Sequence, residues 1–331
     1  MGKKNIVWND YISQNERFAD FFNGVVFEGE EIVCPEALTT LDSKLWRRNR
    51  ENNSYHEYVR DNVKLWHYNG MKYILGLEPE ESPHFALPVK YMNYESVQYD
   101  KQYQKVRKRH RKRNDLRSPE YLSGFSGSDR LMPVITIGVY LGEEKWSGFT
   151  KLGKMADFRA MPAEIRDRLL PLCNEFHVNL LDVHEMAACD MFRTDLKEVF
   201  GFLKHRNDKE GLSRYVKGNE NFRHLQEDAY DVLSVYSRSK QLEIQKDEYE
   251  TEEGFDMCRA IREMIEDGKA EGRIECLISQ TIKKRDRGMS VEDIADALEE
   301  DEEMIKQIMA AIGKAECLET EQVYACMATL G

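Results

Sequence analysis

Two runs rich in aromatic, aliphatic and β-branched residues, DNVKLWHY (61–68) and MKYILGLE (71–78), flank the dipeptide Asn69-Gly70. Asn-Gly is the preferred pair for a two-residue type I′ turn, whose twist matches that of the strands it joins. The pattern therefore predicts a β-hairpin with a tight turn at its centre.

Hydrophobic spacing and β-branched composition predict the other elements of the N-terminal part. The segment 13–27 carries phenylalanines at helical spacing, with Ser13 as the expected N-cap of a capping box. A second, longer helix is expected at 90–113. The apolar run LMPVITIGVYLG (131–142) is typical of a strand buried on both faces, and VNLLDVHEM (178–186) is expected to supply one more strand.

From about Phe192 onward the pattern is mainly helical. The charged stretch 247–256 is expected to be an exposed joint. GKAEGRIE (268–275) is expected to be a helix of modest stability or a hinge, because glycine inside a helix costs about 1 kcal/mol relative to alanine.

The chain continues with a predicted helix pair, SVEDIADALEE and DEEMIKQIMAAIG (290–300 and 301–313). Ser290 and Asp301 are the expected N-caps and Gly313 the expected C-cap. The pair has the rhythm of a short helix-turn-helix, but its second helix begins with three consecutive acids, which would repel phosphates. A helical hairpin for self-association or partner contact is the preferred interpretation, and a helix-turn-helix regulator the alternative.

Charge is distributed unevenly along the chain. The formal net charge is −12, but residues 243–331 hold 24 acidic and 11 basic side chains, which leaves +1 for residues 1–242. Within that part, KQYQKVRKRHRKR (101–113) holds eight Lys or Arg and no acid. Such density suits phosphate neutralisation, and a solvated helix face is the alternative. DNA binding is expected from seven of these cations, here called the basic tract: Lys105, Arg107, Lys108, Arg109, Arg111, Lys112 and Arg113.

Carboxylates collect at one end of the predicted hairpin. A two-residue loop places Asp61 directly opposite Glu78, with their Cβ atoms about 4.5–5.5 Å apart, and Glu80 points to the same face. Opposed like charges destabilise a hairpin. A divalent cation such as Mg²⁺ would offset them, because it prefers carboxylate oxygens. The alternative is a frayed strand end whose acids are solvated.

The seven cysteines are scattered and form no C-x-x-C pair, which indicates reduced thiols in a cytosolic compartment. Cys173, His177, His184 and Cys189 could form a zinc site, but the residues between the two histidines read as a buried strand. These four are therefore expected to be ordinary packing residues. No apolar run approaches the ~20 residues of a transmembrane helix, so we expect a soluble, cytoplasmic protein without a membrane partner.

The order of these features (helix, strands, hairpin carrying Asp then Glu, helix, buried strand) resembles the PD-(D/E)XK nuclease superfamily. More closely, the chain resembles the Rpn-type recombination-promoting nucleases, a transposase family within that superfamily. The resemblance spans most of the chain. It rests on the following stretches and on the helical tail: ERFADFFNGVVFEGEEIVCPEAL (16–38), VRDNVKLW (59–66), YILGLEPE (73–80), ALPVKYMNYESVQYDKQ (86–102) and PVITIGVYLGEEKWSG (133–148).

The resemblance implies Mg²⁺- or Mn²⁺-dependent cleavage of DNA. Asp61 takes the place of the metal-binding Asp, and Glu78 that of the metal-binding Glu. The third position departs from the pattern, because Glu80, after Pro79, stands where the superfamily has Lys and this family typically has Gln. An ionised glutamate cannot donate a proton. Glu80 is therefore expected either to bind a second metal or to mark a weakened or inactive nuclease.

Further residues are candidates to complete the site. Lys101 or Gln102, on the helix after the hairpin, would supply the missing donor, and Glu16 or Asp20 on the first helix would supply a further acid. For each of them the alternative is a solvated helix face. A homodimer is also expected, because a double-strand cut usually needs two active sites.

The sequence thus predicts an α/β fold with a restriction-endonuclease-like core, a mixed sheet flanked by helices, and a mainly α-helical C-terminal region. The expected domains are a PD-(D/E)XK nuclease-like domain at 10–200, a helical extension at 201–250 and an acidic helical tail at 251–331. The expected function is a metal-dependent DNA endonuclease associated with recombination or mobile elements. The alternative is a catalytically silent nuclease fold that binds DNA or a protein.

Overall fold

The predicted hairpin at Asn69-Gly70 lies in the middle of the main sheet. Both turn residues have positive φ, 48° and 75°, as a type I′ turn requires. Strand pairing runs without a slip as far as Asn62 and Leu77, so the predicted register is confirmed over these pairs. The structure, a computed structural model, describes the following residues: 2–41, 44–48, 55–59, 62–237, 239–315 and 319–328.

The helices and strands follow one another in two stretches of the chain. The first stretch contains α1 (Lys3–Ile12), α2 (Asn15–Phe27), β1 (Leu38–Thr40), β2 (Lys44–Arg48), β3 (Tyr55–Val59), β4 (Asn62–Tyr68), β5 (Met71–Glu80), α3 (Leu87–Arg113), α4 (Glu120–Ser123), β6 (Val134–Tyr140), α5 (Ala163–Leu169) and β7 (Asn179–Asp182). The second contains α6 (Leu196–His205), α7 (Lys209–Lys217), α8 (Glu227–Ser237), α9 (Lys240–Ile244), β8 (Glu250–Thr251), β9 (Gly254–Phe255), α10 (Met257–Arg285), α11 (Val291–Leu298), α12 (Glu302–Lys314) and α13 (Thr320–Ala328).

Five strands form one mixed sheet in the order β1-β4-β5-β6-β7, and β2 pairs with β3 in a separate ribbon. β1, β4 and β5 are antiparallel neighbours, whereas β5 with β6 and β6 with β7 are parallel. Parallel neighbours require a crossover connection, and α3 provides it between β5 and β6. The predicted α/β class, a mixed sheet flanked by helices with a helical C-terminal region, is confirmed.

Helices cover both faces of this sheet. On one face, Tyr99 of α3 packs against Val63 and Val134. On the opposite face, the buried ammonium of Lys64 donates 2.6 Å hydrogen bonds to Asn15 and to the backbone of the α1–α2 junction. Successive residues of a strand alternate between these two faces. The alternation decides which side chains can share a site.

The N-terminal helical segment begins earlier than predicted and is interrupted once. The hydroxyl of Ser13 donates to the Asp10 carbonyl at 2.7 Å and closes α1. α2 begins one residue later than the predicted cap requires, with Gln14 as its N-cap and no side-chain capping bond. The predicted capping box is therefore wrong, because the serine hydroxyl satisfies a carbonyl of the preceding helix.

Arg17 joins α2 to the helices that follow the sheet. Its buried guanidinium donates two 2.7 Å hydrogen bonds to Asp195, also contacts Asp228, and lies 4.1 Å from the ring centroid of Tyr11. Burial would lower the pKa of Arg17, but its hydrogen bonds to the two aspartates outweigh this and raise it. The charged arginine therefore fastens α6 and α8 to the layer of α2.

Two compact units make up the chain, residues 1–257 and 258–331. The segments predicted as 10–200 and 201–250 fall together in the first unit. In the second unit, α11 and α12 bury a core that includes Ile294, Ile305 and Ile308. The GKAEGRIE segment lies within the continuous helix α10.

The predicted caps of the second unit are mostly confirmed. Ser290 forms a capping box with Asp293, and the Asp301 carboxylate accepts the Glu303 amide at 2.8 Å. Gly313 is not a C-cap, because α12 continues to Lys314. Local side-chain chemistry therefore sets the starts of α11 and α12.

Candidate active site

Glu78 and Glu80 occupy alternate positions at the end of β5, so their side chains point to the same face of the sheet. Both residues are buried, with exposed fractions of 1% and 6%. β5 remains paired to its end, because β6 follows it as far as the pair Glu80 and Tyr140. The alternative of a frayed strand end with solvated acids is therefore wrong.

Pro79 separates the two glutamates without interrupting the strand. The Ile74 amide donates to the Pro133 carbonyl, so even-numbered residues of β5 direct their N–H groups toward β6. Residue 79 would direct an N–H toward β4 instead, where the described pairing has ended at Leu77. Among the described pairs, therefore, the missing N–H of Pro79 interrupts no ladder hydrogen bond, and the pairing with β6 is kept.

The first turn of α3 returns to Glu80. The Lys90 ammonium lies 2.7 Å from Glu80 Oε1, and the Tyr91 hydroxyl donates to the same oxygen at 3.1 Å. The short connection 81–86 brings the start of the helix back to the end of the strand. The Lys90 side chain is 28% exposed, so this buried ion pair reaches solvent on the lysine side.

Gly138 of β6 makes room for Tyr91. Gly138 is the register partner of Glu78, and a Cβ at this position would lie 2.6 Å from Tyr91 Oη and 2.8 Å from Leu180 Cδ1. The tyrosine hydroxyl therefore lies over the row of the sheet that carries Glu78. Burial, together with the negative charges of Glu80 and Glu78, raises the pKa of Tyr91 well above its usual range. Tyr91 is consequently a neutral hydrogen-bond donor at physiological pH.

Asp61, predicted to lie opposite Glu78, falls outside the described residues. The described strand pairing stops at Asn62 and Leu77, with the predicted register intact up to that point. The expected pairing of Asp61 with Glu78 therefore stays a prediction.

The structure does not bring Lys101 or Gln102 to the glutamates. The Gln102 amide exchanges hydrogen bonds with the backbone of Met132, at 3.1 and 2.7 Å, and so braces the entry to β6. Lys101 is exposed on the same part of α3. Because α3 rises about 1.5 Å per residue, these positions lie roughly 15 Å along the helix from Tyr91.

Glu16 and Asp20 lie on α2, which covers the opposite face of the sheet. Asp20 accepts hydrogen bonds from the Arg193 and Thr194 amides and from the Thr194 hydroxyl, and so holds the segment before α6. Glu16 is close enough to Lys64 for its charge to oppose the lowering of that lysine's pKa by burial. Neither acid is positioned to join Glu78.

The basic tract occupies the exposed C-terminal part of α3. Because the glutamates contact the first turn of this helix, the tract begins about 21 Å from Tyr91 along the axis and ends about 33 Å away. Cations and carboxylates that are close in sequence are therefore separated in space. Among the described residues, Arg109 is the one member of the tract with an acidic partner, Asp129 at 2.6 Å.

The described part of the chain contains neither a ready-made metal-binding group nor a membrane-spanning helix. No three His, Cys, Asp or Glu side chains of the described residues gather into a group that would hold a metal ion; the described residues include Cys173, His177, His184 and Cys189. The described helices include none that is long and apolar enough to cross a membrane.

Sequence reasoning missed Lys90 and Tyr91. The sequence does contain a signal for them. The stretch ALPVKY (86–91) follows the acidic strand end after a very short connection, and its Lys90 is the first cation of the next helix. A helix that starts within a few residues of a strand end places its first turn beside that end. The donors predicted from sequence, Lys101 and Gln102, lie about three turns further along α3.

No family model matches this chain, and no match was found among curated proteins or solved structures. A functional proposal therefore rests on the geometry of the site and on the sequence resemblance described above.

Proposed function

We propose that this chain is a metal-dependent DNA endonuclease of the PD-(D/E)XK type, with Glu78 at its active site. The observation that carries the proposal is a pair of buried glutamates on one face of a strand end, with a lysine ammonium 2.7 Å from one of them. Burying carboxylates is costly. A protein keeps such a cluster where its chemistry is needed, so clusters of buried ionisable groups are common at functional sites.

The donor set fits a hard divalent cation. Carboxylate oxygens are the ligands that Mg²⁺ prefers, and one or two of them suffice when substrate phosphates and waters complete the shell. Glu78, together with Asp61 as the sequence register predicts, would hold the ion. Bound Mg²⁺ or Mn²⁺ supplies charge stabilisation and a more acidic water in phosphodiester hydrolysis.

Lys90 takes the role of the donor that position 80 lacks. Its ammonium has three N–H donors, and Glu80 holds it at the end of β5, beside the row that carries Glu78. In the proposed reaction Lys90 orients the attacking water, Glu80 fixes Lys90 in place, and the neutral Tyr91 hydroxyl supports Glu80. The departure from the family pattern at position 80 is thus offset by the next helix.

The order of elements supports the same proposal. α2, β1, the β4–β5 hairpin, α3 and β6 follow one another in the order of the resembled nucleases, and β2 and β3 pair outside the main sheet. By that resemblance we also propose a role in recombination and a homodimeric active form. The substrate is DNA, which the basic tract would contact through its phosphates.

A second candidate function is a catalytically silent nuclease fold that binds DNA or a protein. The observation that favours it is the direct pairing of Lys90 with Glu80, since each of these charges satisfies the other in a buried setting. A helix-turn-helix regulator is disfavoured, because α12 begins with exposed acids at its N-terminus.

Nicking of supercoiled plasmid in Mg²⁺ or Mn²⁺ tests the proposal. We expect the native protein to nick, Glu78→Gln and Asp61→Asn to lose at least about 100-fold in rate, and the exposed control Glu36→Gln to match the native protein. If the native protein is inactive, Glu80→Gln restores the family residue. Activity in that variant would indicate a silenced nuclease, and continued inactivity would favour the binding module.

A further inference from the structure

A cleft runs between the C-terminal part of α3 and the chain that folds back beside it. α3 ends at Arg113, and its C-cap Asn114 has a positive φ of 50°, at which the chain turns back. The returning segment lies against α3 at Gly124, where a Cβ would come within 2.5 Å of the Arg107 side chain. The name "cationic cleft" is used here for the groove between these residues: Arg107, Lys108 and Arg111 on α3, and Tyr121 and Leu122 on α4.

Two large side chains project from α4 at the rim of the cationic cleft. Tyr121 is 68% exposed and Leu122 is 83% exposed. Adjacent exposed apolar side chains on a soluble surface often mark an interaction site. Their exposure does not result from a loose loop, because the Glu120 carboxylate accepts hydrogen bonds from the Gly127 amide at 2.8 Å and from the Ser126 hydroxyl at 3.0 Å.

The opposite wall of the cationic cleft is a row of available cations. Arg107 and Lys108 are neighbours on one turn of α3, and Arg111 lies on the next turn. The three side chains have no acidic partner among the residues that the structure describes. The described lining of the cleft includes no aspartate or glutamate. The wall therefore complements a polyanion, and the rim complements a flat apolar group.

We propose that the cationic cleft binds an unpaired stretch of a DNA strand, with its phosphates on the three cations and a base stacked on Tyr121. Single strands are held in this way, by a cationic groove that tracks the backbone and by aromatic rings on which bases stack. Paired bases are stacked on one another and offer no free face to Tyr121. The inference rests on the proposed function, because it takes DNA as the partner, and it specifies which form of DNA α3 recognises.

Fluorescence anisotropy without added metal tests this binding. Three labelled probes, each about 12 nucleotides or base pairs long, suit a site of this size. They are an oligothymidylate, an abasic strand with the same phosphates, and a duplex. We expect the native protein to bind the oligothymidylate about 10-fold more tightly than the abasic strand. Equal affinity for the two strands would overturn the proposal.

The variants isolate the stacking contact. Tyr121→Ala is expected to lower oligothymidylate affinity to the level of the abasic strand, and Tyr121→Trp is expected to restore the preference. Tyr68→Ala is the matched control, since this exposed tyrosine lies on the sheet face opposite α3. Arg111→Gln is expected to weaken all three probes together. A preference that survives in Tyr121→Ala would also overturn the proposal.

Polyglutamate distinguishes a strand site from a site for acidic peptides. We expect Tyr121→Ala to leave polyglutamate binding unchanged, because a peptide carboxylate does not stack. An equal loss of polyglutamate and oligothymidylate would reassign the cationic cleft to an acidic protein partner. Plasmid nicking that persists without any strand preference would remove this inference alone, whereas absence of both nicking and DNA binding would remove the proposed function as well.

Discussion

The Lys90 ammonium and the Glu80 carboxylate lie 2.7 Å apart, in a place where the resembled nucleases carry Lys or Gln on the strand itself. The negative residue on the strand thus holds the ammonium of a lysine from the next helix at the strand end. Tyr91 donates to the same carboxylate oxygen at 3.1 Å and limits its rotation. In the proposed nuclease the proton donor and the metal ligand therefore come from two elements, α3 and β5.

Replacing Lys90 with methionine should lower the plasmid-nicking rate by about 100-fold, the usual loss when a positioned proton donor is removed. Lys101→Met is the matched control on the same helix, because its side chain is exposed and remote from Glu80. Full activity in Lys90→Met would contradict the assignment of Lys90 as the donor.

Adding Glu80→Gln to Lys90→Met should recover much of the lost nicking rate. The amide of glutamine supplies an N–H donor on the strand, as the resembled family does. It also removes the unpaired buried carboxylate that Lys90→Met leaves behind. Rates measured for the two single variants and the double variant form a double-mutant cycle. Additive losses in that cycle would show that residues 80 and 90 do not act together.

Gly138→Ala should destabilise the first unit by about 1–3 kcal/mol, as overpacking of a tight core does. The new methyl group would lie 2.6 Å from Tyr91 Oη and 2.8 Å from Leu180 Cδ1. Gly127→Ala is the control, because its new Cβ would lie 3.7 Å from its nearest neighbour, Glu120 Oε1, which is an ordinary van der Waals contact. Urea unfolding followed by tryptophan fluorescence reports this unit, because all four tryptophans precede residue 258. Partial recovery in Gly138→Ala with Tyr91→Phe would locate the clash at the hydroxyl.

Cleavage should depend on substrate length. The basic tract lies about 21–33 Å along α3 from the glutamates, which corresponds to roughly 6–10 base pairs at 3.4 Å each. DNA that extends fewer than about 6 nucleotides from the cleavage site should be a poor substrate, because its strand cannot reach both the glutamates and the tract. The measurement is the cleavage rate over a length series at fixed salt. A rate that does not change with length, or a length dependence that survives neutralisation of the tract, would show that the tract does not hold the substrate.

His110 also lines the cationic cleft. Binding of single-stranded DNA to the cleft should therefore weaken as the pH rises. The hydrogen bond to Asp115, assisted by the one to Asp129, raises the pKa of His110 above 6.5. The charged ring is therefore fully present below pH 6.5, and its contribution is lost as the pH passes through the raised value. We expect affinity to fall about 2–5-fold across that window. His110→Gln should flatten the profile, and an unchanged profile in this variant would contradict the role of His110.

Arg17→Met should lower the free energy of unfolding of the first unit by about 3 kcal/mol. The change leaves two partly buried aspartates, Asp195 and Asp228, without the guanidinium that they share. Arg159→Met is the control, since Arg159 pairs with Asp157 on the surface and such pairs contribute little. The comparison uses the same urea titration. Equal midpoints for the two variants would show that Arg17 does not fasten α6 and α8 to α2.

Features governed by a few neighbouring residues followed from the sequence. The Asn69-Gly70 turn set the hairpin register, because a two-residue loop leaves one pairing and a one-residue slip would turn every side chain to the wrong face. The Ser290 and Asp301 caps were predictable for the same reason, since a cap depends on its own helix turn. Ser13 failed as a cap because a preceding helix competes for its hydroxyl.

The tertiary structure decided which chemical groups share a site. Lys90 meets Glu80, while Lys101 and Gln102 do not, because the length of the 81–86 connection and the direction of α3 across the sheet fix which turn faces the strand end. The same direction carries the basic tract away from the carboxylates. The sequence by itself determined the β4–β5 hairpin, the long helix after it, the buried strand β6 and the common face of Glu78 and Glu80, all of which depend on local periodicity. Their partners depend on long-range packing, which no short window of sequence contains.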